Sequence, residues 1–526
     1  MKIKTAIIVD HLSLMKWQKN ALENAKKKLD VILILNCENT KTKRQILKHF
    51  LYYVLNLFSL KNFLSKKSLI EYSKIKIINF NSIYSGSWQS LPGNVINELK
   101  KKKIKLVIKF GMNLLKIEDN LSNIPILSFH HGNPSKYRGR PAGFYEILNN
   151  EKTVGIIVQR LTNKLDAGKI LAYAEAKIIN FSYRKTSINF YKNSKFLLSK
   201  AIDNLSEKKI VNIKKSNKAF KLPSNFTVLK FLFLIFFNLN KKIFYGLFFE
   251  KKWKVAFLKN KLLLNGNKII NSNYLKEIPI NKKYNFYADP FFSCNSKSIR
   301  LEALNKFSGL GELIEVSIKN FKEQKLSTYK RHHSYPFSFV HKKKEYLLPE
   351  VASYSAQYIL SLDKGKKEKV FLKGLKNKRI IDATIIEHKK YWYLFFGEEQ
   401  NASSILNLWI SKSPFSKFRP HPKTPIVISP KNARMGGSIL CSKNKLFRFG
   451  QNNEGEYGES LSILEINKLT PEDYSENYLG SLTVDKYKGP HTINFNMKKK
   501  LVILDYYENK FSFFAGIRRI SGWLNK

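Results

Sequence analysis

Cysteine is scarce. The 526 residues include three, Cys37, Cys294 and Cys441, far apart and in no C-x-x-C pattern. That excludes a disulfide framework and a cysteine-built zinc site, and it suits a reducing compartment. Acidic residues are also few, 39 Asp and Glu against 94 Lys and Arg, for a formal charge of +55. Arginine is rarer still, 13 of those 94. Nucleic-acid readers gather Arg and Lys on one face, because bidentate base contacts need the guanidinium fork. Here lysine is spread along the whole chain, as in His341–Tyr346 and Asp363–Lys369. A lysine-rich solvated surface explains the charge better, and no nucleic-acid partner is expected. Such a surface attracts anionic substrates or lipid head groups in a salt-dependent way.

Long apolar runs are missing as well. Before Asp10 the amino terminus offers only Ala6–Val9, too short for a signal-peptide core. The longest apolar stretch, Val228–Leu239, carries Lys230 and is too short to span a bilayer. The expectation is a cytoplasmic protein, with attachment at the inner face of the membrane as a variant. What is present, 43% hydrophobic and 13% aromatic residues, is too much for a disordered polyelectrolyte. The length implies two domains or more.

Residues 1–205 read as a mostly parallel α/β sheet. Lys4–Asp10, Asp30–Leu35 and Lys103–Gly111 are short apolar strands, and PILSFHHG and VGIIVQRL add two more. Leu14, Trp17, Ala21 and Ala25 put one apolar stripe on a helix over 12–28, and a second helix runs near 95–102. Residues 253–526 change grammar, to short aromatic strands with a loose repeat. Its heads are Ala288–Phe291, Tyr335–Phe337, Asp382–Thr384, Met435–Gly437 and Gly489–His491, spaced roughly 47 to 54 residues apart. One four-stranded blade per repeat predicts a five-bladed β-propeller; a β-sandwich is the alternative. Between the domains, 206–252 predicts a basic aromatic amphipathic helix. It either packs between the domains or lies on a membrane surface.

The first chemical constellation is the segment Ser128–Gly139, which follows a buried strand, where α/β sheets place their chemistry. His130 stands at one strand's carboxyl end. Asp166 stands in the loop after the next strand, Gly155–Leu161. The pair suits proton transfer, with the carboxylate orienting the imidazole. Arg138 and Arg140 offer guanidinium groups to a phosphate or carboxylate. Adjacent His130 and His131 point to opposite sides of an extended segment, so no metal site is expected.

These residues resemble the amino-terminal fold of methionyl-tRNA formyltransferase, glycinamide ribonucleotide transformylase and nucleotide-sugar N-formyltransferases. The resemblance covers about 1–205 and is specific from Val107 to Leu171. It implies a Rossmann-like fold and formyl transfer from 10-formyltetrahydrofolate to an amine, an amino sugar being the favoured acceptor. It implies His130 as general acid or oxyanion stabiliser, with Asp166 as its orienting partner. Gly111, Met112, Asn113, Leu114, Leu165 and Gly168 are implied around the folate. The family's Asn two residues before the His is Ser128 here, and Asn133 in the same loop is a substitute donor.

The second constellation is a set of acids on the repeats: Asp289, Glu302, Glu350, Asp382 and Glu398. In a propeller such positions line the central funnel, and paired carboxylates there either bind a sugar or cleave it. Tyr287–Phe292 and Asp382–Thr384 resemble five-bladed furanosidase and xylosidase propellers. Residues 253–520 resemble more closely the propeller domain of plant glucosamine inositolphosphorylceramide transferases. Two alternatives to formyl transfer stay open: a glycosidase or glycosyltransferase centred on the funnel, and a non-catalytic glycan-binding protein with a degenerate first domain.

Overall fold

Seven strands among the described residues of the first 180 positions form one sheet, most of them buried apolar runs with the edge strand Lys76–Phe80 largely exposed. They are β1 (Ile3–Val9), β2 (Leu29–Cys37), β3 (Lys76–Phe80), β4 (Leu106–Lys109), β5 (Ile126–His131), β6 (Thr153–Arg160) and β7 (Lys169–Lys177). The computed structural model describes residues 2–40, 45–59, 66–68, 75–163, 168–213, 219–259, 264–326, 331–353, 357–362 and 368–524. The chain divides into two compact units, 1–240 and 241–526.

In unit 1 the sheet order is β7-β6-β5-β4-β1-β2-β3. The five strands from β3 to β5 pair in parallel, whereas β6 and β7 run antiparallel. The order 3-2-1-4-5 is that of a doubly wound sheet, which opens a crevice where the order reverses, here at the carboxyl ends of β1 and β4. Helix α1 (Lys16–Ala25) buries Trp17, Ala21 and Ala25. It starts later than its apolar stripe because Ser13–Met15 pairs with Lys66–Ser68 as a strand, and Leu14 is buried all the same. Helix α2 (Gly93–Lys101) buries Val95, Ile96 and Leu99 against Ile8, Leu35 and Val107. Each such side chain contributes about 1.5–3 kcal/mol. Helices α3 (Tyr183–Ser194) and α4 (Leu197–Ser206) complete the layers.

Helix α5 spans Asn225–Phe248, 24 residues. It corrects the sequence expectation: by length and composition it is long and apolar enough to cross a membrane. The helix runs on through Lys241 and Lys242 to Phe248, past the apolar stretch at 228–239. Its buried side chains are Val228 and Phe231, and the Phe231 ring stacks on Phe144 at 4.1 Å.

Unit 2 is all-β, and its five sheets coincide with the five repeat heads. Their first strands are Tyr284–Phe292, His333–His341, Ile380–His388, Arg434–Met435 and Ile493–Asn496. The fifth sheet joins the two ends of the unit, because Leu501–Phe511 pairs along its whole length with Phe249–Lys259. The first three heads share a local device. The pairing register slips around Asp289, Tyr335 and Asp382, and each takes a left-handed backbone, φ 51°, 46° and 47°. Such bulges re-aim a side chain out of strand alternation. The heads bond to one another: Asn494 Nδ2 donates to Pro290 O at 2.7 Å, and Gly437 N to the Tyr335 hydroxyl at 2.9 Å.

Candidate functional sites

A cleft of about 770 Å³ opens in unit 1 beside the switch point, lined among others by Trp88, Lys109, Asn113, Ser128, His130 and Gln159. Strand register decides what faces what. Ser128 on β5 is paired with Lys109 on β4 and with Gln159 on β6. Residues in register share a face of the sheet, and His130, two positions on from Ser128, joins them. The His130 Nε2 lies 3.2 Å from the Tyr137 carbonyl. A carbonyl only accepts, so this contact puts a proton on Nε2.

Lys109 donates to the carbonyls of Met112 (3.1 Å) and Asn113 (3.0 Å). Burial pulls its pKa down to about 8, with Asp10 holding it up and Arg140 pushing it further down. Asp10 Oδ1 accepts from the amide of Met112 at 2.6 Å, which fixes the loop in a left-handed turn (φ 59°). Gly111 is required there, since a Cβ would come within 2.4 Å of the β1 backbone. A Cβ on Gly168 would lie 2.9 Å from Gln159 Oε1, a buried acceptor with no hydrogen-bond partner among the described residues.

Met112, Asn113, Leu114, Ser128, His130, Arg140 and Gly168 line the cleft, with Gly111 packed against the β1 backbone beside Met112. Leu165 and Asp166 lie outside the described residues. Two expected residues do not face the cleft. Asn133 Oδ1 accepts from the amide (3.0 Å) and hydroxyl (2.8 Å) of Ser135, closing its own turn, and Asn133 is not among the residues that line the cleft. Arg138 sits in a short parallel pair with Ala219, and Arg140 lines the cleft. His131 belongs to packing. Its Nε2 lies 2.8 Å from Ser194 Oγ, its ring contacts Trp17 at 4.9 Å, and burial, aided by His130, holds its pKa near 3.

The acids of unit 2 separate in the same way. Asp289, Glu350 and Asp382 converge at the heads. Asp382 is ion-paired with Arg434 and accepts from Gln451 Nε2 at 2.8 Å, and its amide donates to Glu350 at 3.3 Å. Asp289 accepts from the Thr492 hydroxyl at 2.7 Å and lies 3.3 Å from His491 Nε2, while Asp505 is 2.7 Å from His491 Nδ1. Burial, with Asp382 and Asp505 nearby, raises Asp289 to about 6 against the pull of His491. Burial and Asp382 raise Glu350 to about 8. Burial lowers His491, but Asp505 and Asp289 outweigh it and keep the imidazole above its ordinary range.

Glu302 and Glu398 stand apart from that cluster. Glu302 lies 3.5 Å from His332, and Glu398 pairs with Lys378. Glu302 lies within the second strand Ser298–Asn305 and Glu398 ends the second strand Tyr391–Glu398. Sequence reasoning missed Lys109, Asp10 and Gln159 in unit 1, and Arg434 and Asp505 in unit 2.

The two units define a fusion of an α/β region similar to formyltransferases with an all-β region of another family. Residues 267–511 match the family model described as Glucosamine inositolphosphorylceramide transferase 1, N-terminal. The glucosamine inositolphosphorylceramide transferase 1 of Oryza sativa subsp. japonica is 33% identical over 153 residues, 28% of this chain and 20% of the rice protein. Methionyl-tRNA formyltransferase of Borrelia duttonii (strain Ly) is 29% identical over 135 residues, 24% of this chain and 43% of that protein. Among solved structures, a formyltetrahydrofolate deformylase from Pseudomonas putida KT2440 is 16% identical with a TM-score of 0.29, covering 40% of this chain and 71% of that one. The chain spans about a fifth of the length of the plant relatives that it matches.

Proposed function

We propose that unit 1 transfers a formyl group from 10-formyltetrahydrofolate to a primary amine, an amino sugar of a surface glycan or glycolipid. Unit 2, read as a five-bladed propeller, holds the carbohydrate. The observation that carries this reading is the register row Lys109–Ser128–Gln159 with His130 on the same face of the cleft. The cleft suits a polar heterocycle. It has an unpaired buried acceptor at Gln159, and it brings Trp88 and the Met112–Leu114 loop to the lining. When bound, the folate supplies the formyl carbon. Met112, Asn113, Leu114 and Gln159 are the residues assigned to hold it.

As the amine bonds to the formyl carbon, His130 takes the proton that the amine releases and returns it as general acid to the folate nitrogen when the formyl–nitrogen bond breaks. Asp166 orients the imidazole, a role assigned from the Asp-x-Gly pattern and the family resemblance. Ser128 and the Lys109 ammonium together serve as donors to the developing oxyanion, in place of the family's Asn. The plant relatives' name includes glucosamine, which supports an amino sugar as acceptor. Free Cys37, Cys294 and Cys441 support a reducing compartment, the cytoplasm. Incubating wild type and His130→Ala with 10-formyltetrahydrofolate and a panel of amino sugars tests the assignment. Formylated product from wild type alone supports it, and equal product from both removes it.

A second reading rests on unit 2. Asp289 and Glu350, both with raised pKa, stand near Asp382, which is paired with Arg434. A protonated acid beside a carboxylate is the pattern that glycoside hydrolysis uses. Glycan hydrolysis by wild type that disappears in Asp382→Asn supports this reading over pure binding.

A further inference from the structure

Unit 2 carries a second cavity, of about 760 Å³, away from the acid cluster. Its lining includes Lys242, Lys251, Lys252, Lys306, Arg518 and Arg519, against two carboxylates, Glu250 and Glu302. Arg518 is ion-paired with Glu250 at 2.9 Å and Lys251 lies 3.6 Å from Glu456, so cations remain in excess.

The wall of this pocket is built by the last turns of α5 and by a carboxyl-terminal helix, α6 (Ala515–Leu524). Arg519 donates to backbone carbonyls of Gly246 and Phe249, and Gly516 packs against Leu247, which holds the two helices side by side. Their outer faces are apolar and uncovered. Phe513 is 73% exposed, Phe514 62%, Ile517 64% and Ile520 60% on one side, with Phe244 54% exposed on the other. Within unit 2 the last turns of α5 extend this face through Leu247, 47% exposed and three positions on from Phe244, with Lys241 three positions before Phe244. Uncovered apolar surface of this size marks an interaction site.

Charge chooses among the occupants. A second copy would bring another +55 to the face, whereas an anionic bilayer brings the opposite sign. Aromatic side chains with lysines at their margin are what the headgroup boundary takes up. Within unit 2 the other side of these last turns of α5 is engaged, by Tyr245 on Asn509, so they have one face to offer.

We propose that unit 2 docks on an anionic lipid bilayer through the joined outer faces of α5 and α6. The adjoining basic pocket takes a phosphate-bearing lipid headgroup. The helices lie along the surface with their aromatic rings in the boundary region, and the lysines meet the lipid phosphates.

Flotation of the full chain tests this with vesicles of phosphatidylcholine alone and of equimolar phosphatidylcholine and phosphatidylglycerol. Wild type is expected to float with the anionic vesicles and to release as salt is raised. Phe513→Ser/Phe514→Ser is expected to lower binding at least about tenfold, since two phenyl groups leave the boundary. Lys242→Ala/Lys306→Ala, on exposed positions, is expected to reduce binding to the anionic vesicles toward the level on phosphatidylcholine alone. An unchanged thermal transition shows that each variant is folded. Absence of flotation for wild type, or flotation indifferent to both variants, overturns the proposal. So does concentration-dependent self-association that the phenylalanine variant abolishes without any vesicle binding.

Discussion

In unit 1 the polar groups line an open cleft and keep donors and an acceptor turned toward it. In unit 2 the charged groups of the heads close on one another. Lys109, Ser128, His130 and the unpaired Gln159 face space. Asp382 is clamped by Arg434, and His491 lies between Asp289 and Asp505. Both sites strain against burial of charge, yet only the first leaves its groups available to a transient partner. An open cleft and a self-paired cluster at the sheet heads thus use similar residues to opposite ends.

The comparison breaks most visibly at His130. His130→Ala is expected to lower formyl transfer by about 10²–10⁴-fold, as loss of a general acid–base does, with little change in thermal stability. In unit 2 the order reverses. Asp505→Ala leaves His491 and the amides of Asp289, His491 and Thr492 without their buried acceptor. It should destabilise by about 3–5 kcal/mol in calorimetry while leaving folate binding intact.

Two variants sharpen the contrast through pH. The His131 pKa is lowered in the folded chain to about 3, so below its ordinary value the unfolded state binds the extra proton, and stability falls as pH drops. His131→Phe should therefore gain relative stability at pH 4 over pH 7, by about 3 kcal/mol. Glu350 is raised, so the folded state holds the extra proton, and its penalty grows as pH rises toward 8. Glu350→Gln should gain relative stability at neutral pH and lose that advantage in acid. Equal pH trends for the two variants in thermal melts contradict the assignment of opposite penalties.

Lys109 gives a further contrast, in rate. Its amine loses its proton as pH rises through about 8, so wild-type turnover should fall above that pH, and Lys109→Arg should move the fall upward. The smallest effect belongs to the exposed Lys136–Glu151 pair at 3.0 Å. Lys136→Ala should change stability by less than about 1 kcal/mol.

Much of this was legible in the sequence, for reasons that also mark the limits. The apolar runs at β1, β4 and β5 announce buried strands, and the His130 loop carries its motif locally. Three of the heads repeat because their sheets begin with the same bulged turn, at Asp289, Tyr335 and Asp382. Lys109 escaped because a lysine ending an apolar run reads as a strand boundary. Its importance comes from register with Ser128, which only pairing reveals. Asp505 escaped because it meets Asp289 from 216 positions away. Asn133 shows that loop position does not fix direction: its Oδ1 turns to Ser135, outside the cleft lining. Glu302 and Glu398 misled because place in the repeat does not fix the partner: they meet His332 and Lys378, whereas Glu350, also on a second strand, accepts from the Asp382 amide. For α5 the apolar stretch was read too short, since two lysines do not stop a helix.

Calorimetric titration of the full chain with formyltetrahydrofolate, comparing wild type with Gln159→Leu and Asp382→Asn, reaches the centre of the account. The expected result is saturable binding that weakens at least about tenfold in Gln159→Leu, where a buried acceptor is lost, and is unchanged in Asp382→Asn. No saturable heat with wild type, or binding that fails in Asp382→Asn and survives in Gln159→Leu, contradicts it.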